Sequence, residues 1–176
     1  MMSIVLSEFS RAAELNPILY DRVYENILNN EEGLRYCDGL GGRRTDWNLH
    51  KQKIEEVDVI VSWVKSILPN VSKRFATKTE QPTYGYDLNL FEIAECWGVH
   101  YNQGESLIEH NHFPYSLTFV YYVRTPKGTA PIIMEDEIFE VKEGQCVFFL
   151  ASQYHSVGLN NCDGRCAIIG NVSYRF

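Results

Sequence analysis

The sequence predicts a single, mainly β domain with helices at its N-terminal end. The chain has 176 residues, enough for one ordinary domain, and an apolar content of 45% indicates a packed core. Helical spacing of apolar residues ends near residue 80, and short runs of β-forming residues with turn signals follow. We therefore expect one domain over residues 1–176, in which residues 1–80 form a helical support and residues 81–176 the β core.

Two stretches in the first part predict helices. Asn16 and Pro17 have the residue types of an N-cap and a first helical residue, and the helix that they begin should end before Gly33. Its apolar stripe consists of Ile18, Leu19, Val23 and Ile27. A second, clearer helix should end at Pro69. Its apolar residues at helical spacing are Ile54, Val57, Ile60, Val61, Val64, Ile67 and Leu68.

The second part predicts a series of short strands. Residues 91–101 should form one or two strands, and further strands are expected at 107–112, 117–124, 132–134, 138–141, 147–150 and 166–169. Many short strands at this spacing are typical of a β-sandwich or barrel. The loop at 39–44 and the segment 45–47 are expected, from their position alone, to border the mouth of such a barrel.

Charge and hydropathy argue against several partners. The formal net charge is −7 and there is no basic run, so binding to nucleic acid is not favoured. No stretch approaches the roughly 18 consecutive apolar residues of a membrane span. The first residues lack the basic flank and apolar core of a signal peptide. We expect a soluble, cytoplasmic protein without a membrane partner.

The cysteines are odd in number and scattered, which argues against a disulfide framework and fits a reducing compartment. Cys162 and Cys166 flank the turn signal Asp163-Gly164, so their side chains could face each other across a hairpin. Structural thiols are the favoured interpretation, and a bridge between these two remains an alternative. The five cysteines are Cys37, Cys96, Cys146, Cys162 and Cys166.

The histidines carry the functional prediction. His110 and His112 are one residue apart, and in a β-strand this spacing places both imidazoles on the same face. Two imidazoles that point into one cavity form half of a metal site. His155 follows as a third candidate ligand, and Arg165 comes ten residues later. This order is much stronger evidence for a metal site than the pair alone.

From Trp97 onward the chain resembles the double-stranded β-helix, a cupin-like jelly-roll barrel, of the Fe(II)- and 2-oxoglutarate-dependent oxygenases in their prolyl-hydroxylase-like branch. The matching segments lie at 101–104, 110–112, 116–122, 143–149, 155 and 164–165. The usual motif of the family is His-x-Asp followed by a distant His, and His112 stands at the Asp position. Small bacterial and phage oxygenases of this branch include members with His-x-His.

The resemblance implies Fe(II) as the metal and 2-oxoglutarate as co-substrate. The implied metal ligands are His110, His112 and His155. Alternatively, His112 does not bind the metal, and water or an acid such as Asp136 completes the ligand set. The resemblance also implies contacts to the co-substrate. Arg165 would bind its distal carboxylate together with Tyr122, and Tyr101 and Asn102 are weaker candidates for contacts to co-substrate or substrate.

The reaction implied by the resemblance is hydroxylation of an unidentified protein or small-molecule substrate with oxygen, which releases succinate and carbon dioxide. A homodimer is one expectation for the assembly. Two other functions remain open from the sequence. One is a cupin-like oxygenase that uses three histidines and oxygen without 2-oxoglutarate. The other is a non-catalytic β-barrel binding or assembly module, for instance a phage structural component.

Overall fold

The computed structural model describes residues 4–35, 41–76 and 90–174. Its helices are α1 (Ala12–Leu28), α2 (Glu31–Arg35) and α3 (Glu55–Ala76), with a short 3-10 turn at Leu49–Lys51. Its strands are β1 (Ile4–Glu8), β2 (Arg43–Arg44), β3 (Phe91–Tyr101), β4 (Leu107–His110), β5 (Leu117–Arg124), β6 (Ile132–Met134), β7 (Glu137–Phe139), β8 (Gln145–Leu150), β9 (His155–Val157) and β10 (Arg165–Tyr174).

The strands form two antiparallel sheets that face each other. The major sheet has the order β1-β8-β5-β10-β3-β2, and the minor sheet has the order β4-β9-β6-β7. Strands β3 to β10 thus supply four strands to each sheet, which is the arrangement of a jelly roll. The prediction of a mainly β, jelly-roll domain with helical support is confirmed. The two sheets keep their edges and do not close into a continuous barrel.

Side-chain alternation along the major sheet creates two cores. On β5, Phe119, Tyr121 and Val123 point outward and pack against the helices. Val120 and Tyr122 point inward, towards the minor sheet. Because successive side chains of a strand point to opposite faces, every inward residue of the major sheet contributes to one shared interior. The site occupies this interior.

Helix α1 begins four residues before the predicted N-cap. Pro17 lies inside the helix, and Asn16 is buried, where its Oδ1 accepts a hydrogen bond of 2.7 Å from the Tyr121 hydroxyl. Ile18, expected in the apolar stripe, is 48% exposed. Leu15 is buried in the stripe instead, because the helix residues that face the sheet are four positions apart. The buried stripe is Leu15, Leu19, Val23 and Ile27.

Helix α3 continues beyond Pro69, where the sequence predicted its end. The helix gains a buried contact there, since Val71 extends the apolar stripe that Val64 and Leu68 form. The Ser72 hydroxyl donates to the Pro69 carbonyl at 3.1 Å. Tertiary packing therefore outweighs the missing N–H of proline at this position.

The observed strands agree with most of the predicted ones. Strand β5 and strand β6 have the predicted bounds, and residues 91–101 form one strand. Strand β1 was missed: five residues without flanking turn signals pair with β8, far away in the chain. The strand expected over 107–112 ends at His110.

The described cysteines are free thiols, so the alternative of a bridge between Cys162 and Cys166 is not realised. The Cys162 sulfur lies 3.6 Å from the Thr129 hydroxyl, whereas Cys166 points outward into the core beneath the helices. Cys37 lies outside the described residues. None of the described helices is long and apolar enough to cross a membrane.

Candidate metal centre

The three predicted histidines converge at one end of the minor sheet. His110 is the last residue of β4, His155 is the first residue of β9, and the two are register partners. Their ring centroids are 4.3 Å apart, and His112 lies 5.1 Å from His110 and 5.0 Å from His155 by the same measure. One nitrogen from each ring lies within 4.8 Å of the others, so the three can bind a single metal ion.

His112 reaches this cluster from beyond the end of β4. Its backbone N–H donates to the Ala151 carbonyl at 2.7 Å, which ties the segment to the end of β8. Its ring packs near Trp97 and Phe149, with centroid distances of 5.8 Å and 6.4 Å. His110 and His112 therefore converge as expected. The imidazole of His112 is positioned by the hydrogen bond of its loop to Ala151, and not by the alternation of side chains along β4.

The protonation of the cluster suits metal binding. Burial, with a smaller contribution from the neighbouring histidines, lowers the pKa of His112 to about 4 and that of His155 to about 3. The Nδ1 atoms of His110 and His155 lie 3.0 Å and 3.3 Å from the carbonyls of Ile108 and Gln153. A carbonyl only accepts, so both Nδ1 atoms carry protons and leave Nε2 for the metal.

The ligand set contains no carboxylate. Within residues 4–35, 41–76 and 90–174, these histidines are the only group of three or more metal-binding side chains of the His, Cys, Asp and Glu types. Asp136, considered as an acid that might complete the set, lies at the exposed turn between β6 and β7. That alternative is not supported, because the side chain is not part of the cluster.

Arg165 lies at the closed end of the same interior. It begins β10, pairs in register with Tyr101, and is 2% exposed. Its guanidinium carbon lies 4.8 Å from the Tyr101 ring centre and 5.6 Å from that of Tyr122. Burial raises the pKa of both tyrosines, to about 12 for Tyr122, while the charge of Arg165 opposes the rise.

Two buried polar atoms at the Arg165 end of the interior have no hydrogen-bond partner among the described residues. They are Arg165 Nε and the Tyr122 hydroxyl oxygen. Buried polar groups are normally paired, because an unmade hydrogen bond costs about 1–3 kcal/mol. An arginine Nε and a tyrosine hydroxyl that are both available in this cavity fit an anionic ligand that accepts hydrogen bonds.

A cavity of about 60 Å³ joins these groups to the histidines. Its lining includes His110, His112, His155, Tyr101, Tyr122 and Arg165. Asn102, the remaining predicted site residue, does not line it. That residue lies in the turn after β3, where its backbone N–H donates to Glu105 Oε2 at 2.6 Å.

A wider cleft of about 400 Å³ opens outside this cavity and shares Trp97, His110 and His112 with it. Arg44 and Trp47 line the cleft, so the described part of the loop expected near the barrel mouth does border it. The lining residues that sequence reasoning missed include Glu95, Tyr115 and Asn171. The period-two spacing of Glu95, Trp97 and Tyr101 on β3 is the signal that could have revealed the first.

Comparisons with known proteins place the fold among the 2-oxoglutarate- and Fe(II)-dependent oxygenases. No protein-family model and no curated protein matches the chain. Several solved structures, however, match the chain in fold. The viral collagen prolyl hydroxylase of Paramecium Bursaria Chlorella virus-1, in its 2-oxoglutarate complex, superposes with a TM-score of 0.66 at 10% identity, covering 97% of this chain and 95% of that one.

Two other solved structures give the same picture. A prolyl-4-hydroxylase from Pseudomonas putida has a TM-score of 0.63 at 15% identity, and the match covers 98% of this chain and 93% of that one. The non-heme alpha ketoglutarate dependent epimerase SnoN from nogalamycin biosynthesis has a TM-score of 0.66 at 14% identity, with coverage of 99% and 79%. These similarities define the fold that the chain shares with this class of enzymes.

Proposed function

We propose that this protein is an Fe(II)- and 2-oxoglutarate-dependent dioxygenase that hydroxylates its substrate. The observation that carries the proposal is one interior that joins three converging histidines to a buried arginine whose Nε has no hydrogen-bond partner among the described residues. Two of the similar solved structures support it, because they are prolyl hydroxylases and one of them is a complex with 2-oxoglutarate.

The residues present fit both groups. His110, His112 and His155 would hold Fe(II) through their neutral imidazoles, and three protein nitrogens leave room for further ligands. Arg165 would bind the distal carboxylate of 2-oxoglutarate, with the Tyr122 hydroxyl donating to the same group. Tyr101 would pack against the guanidinium and hold it in place.

In the overall reaction, one oxygen atom of O2 enters a C–H bond of the substrate and the other enters succinate, while 2-oxoglutarate loses carbon dioxide. The bound iron supplies the oxidation chemistry. The chain orients the co-substrate through Arg165 at the closed end and excludes water with the apolar walls of the cavity. The wider cleft, whose lining includes His110 and His112, would admit the substrate to the histidines.

The test is anaerobic addition of Fe(II) and 2-oxoglutarate to the purified protein. We expect a visible charge-transfer band for the intact protein and its near-complete loss in Arg165→Ala. Arg124→Ala is the matched control, because this arginine lies on β5 but packs outside the sheet against Tyr20. A missing band in the intact protein contradicts the proposal. Metal analysis of protein purified without chelator separates it from a non-catalytic module, which would carry no stoichiometric ion.

The absence of a carboxylate from the histidine cluster favours a second candidate function. A cupin-like oxygenase can use three histidines and oxygen without 2-oxoglutarate. It predicts that oxygen consumption on a thiol or diketone substrate persists in Arg165→Ala. The buried Arg165, whose Nε has no hydrogen-bond partner among the described residues, makes the first function the better supported one.

A further inference from the structure

Glu95 occupies a position in the wider cleft that the proposed reaction does not use. Tyr101, Val99, Trp97 and Glu95 are alternate residues of β3 and share its inward face. Glu95 is the one nearest the open side. Alternate residues of a strand are about 7 Å apart. Trp97 contacts His112, so Glu95 lies one such step beyond the metal centre and away from Arg165.

The surrounding side chains hold the Glu95 carboxylate in a fixed place. Asn171, its register partner on β10, donates from Nδ2 to Glu95 Oε2 at 2.9 Å. Thr118 in turn donates to Asn171 Oδ1 at 3.1 Å, and both of these residues are buried. Tyr115 lines the cleft together with Glu95, and burial and the nearby Glu95 carboxylate raise the pKa of its hydroxyl. A carboxylate has about four acceptor positions, so it retains capacity for a ligand.

Among the described residues, no cation pairs with this carboxylate. Within residues 4–35, 41–76 and 90–174, Glu95 is the only acidic side chain that lines the cleft, and no ion pair involves it. Arg44, the lining arginine in this part of the chain, donates to Glu32 at 3.1 Å and stacks on Trp47 at 4.0 Å. A fixed negative charge beside the indole of Trp97 is the combination that binds positively charged nitrogen.

We propose that the cleft recognises a substrate by a positively charged nitrogen, an ammonium or guanidinium group held between Glu95 and Trp97. The carbon to be oxidised would lie about one strand step further in, near the histidines. That the bound group belongs to a substrate rests on the proposed function. The net charge of −7 favours the approach of cations. The nitrogen can belong to a free amine or to a lysine or arginine side chain of a peptide.

Binding can be tested without metal or turnover. Trp47 and Trp97 line the cleft, whereas Trp63 packs against Phe9 beneath the helices, so tryptophan fluorescence reports on the cleft. Metal-free protein is titrated with 1,5-diaminopentane and its neutral analogue 1,5-pentanediol. A second arm uses acetyl-Ala-Ala-Lys-Ala-Ala-amide and the same peptide with the lysine acetylated. We expect at least one amine to bind about tenfold more tightly than its neutral analogue.

Glu95→Gln should abolish this preference, because glutamine can still accept from Asn171 but carries no charge. Glu140→Gln, which removes an exposed carboxylate outside the cleft, should leave the preference unchanged. Equal binding of amine and analogue to the intact protein in both arms overturns the inference, and so does an unchanged preference in Glu95→Gln. The anaerobic charge-transfer band is independent of these outcomes: with a band and no preference only this inference fails, and with a preference and no band only the proposed function fails.

Discussion

Tyr121 and Tyr122 are neighbours on β5, yet their hydroxyls serve opposite sides of the major sheet. The Tyr121 hydroxyl donates to Asn16 on α1 at 2.7 Å, so its hydrogen bond joins the sheet to the helical support. The Tyr122 hydroxyl points into the interior beside Arg165 and has no partner among the described residues. One strand thus carries a structural hydroxyl and one available to a ligand.

Tyr122→Phe should weaken co-substrate binding without weakening the fold. The hydroxyl is buried and unpaired, so its removal should leave the free energy of unfolding of the metal-free protein unchanged or raise it by about 1 kcal/mol. The 2-oxoglutarate concentration that gives half of the charge-transfer band should rise about tenfold, because one hydrogen bond to the carboxylate is lost. An unchanged concentration would remove Tyr122 from the co-substrate site.

Tyr121→Phe should have the converse effect. It leaves Asn16 Oδ1 buried without its donor, which costs about 1–3 kcal/mol of unfolding free energy. Urea denaturation should show this loss, while the 2-oxoglutarate titration remains as in the intact protein. The two variants are mutual controls, since each removes one oxygen atom from the same strand.

His112→Asp should strengthen Fe(II) binding, since an anionic ligand attracts the ion more than a neutral imidazole does. His112→Ala should weaken it by about tenfold or more, corresponding to about 1.4 kcal/mol. Anaerobic competition with a chelator measures both affinities. His100→Gln is the matched control outside the cluster. If His112→Ala binds Fe(II) as well as the intact protein, His112 is not a ligand.

His100 should make the fold sensitive to acid. It is buried on β3, where its Nε2 lies 3.0 Å from the Tyr20 hydroxyl, and burial lowers its pKa to about 4. The unfolded chain binds a proton at this group near pH 6.5, so the unfolded state takes up more protons as the pH falls. The stability contribution is therefore complete above pH 6.5 and lost between pH 6.5 and about 4.

Denaturation of the metal-free protein at pH 7 and pH 5 tests this. The loss of unfolding free energy between the two values should be smaller in His100→Gln than in the intact protein. His112 and His155 also have lowered pKa values, but they contribute equally in both proteins. The difference between the two losses of unfolding free energy therefore measures the contribution of His100. An equal loss in the two proteins would show that His100 does not carry the effect.

Local patterns were sufficient for much of the fold. The bounds of β5 and β6 followed from β-forming residues between turn signals, and the apolar stripe of α3 followed from helical spacing. The ends of the helices could not be predicted from such local patterns. Pro17 and Pro69 lie inside their helices because buried contacts of Leu15 and Val71 outweigh one lost hydrogen bond each.

The residue types of the site follow from the amino-acid sequence, since the order His110, His112, His155 and Arg165 is readable without coordinates. How these side chains meet depends on the packing of strands and loops that are distant in the chain. The anchor of His112 to Ala151 and the positions of Asp136 and Asn102 outside the cluster and the cavity lining depend on how loops pack between the sheets. The hydrogen bond from Asn171 that fixes the Glu95 carboxylate in the cleft joins two strands, and local sequence does not encode it.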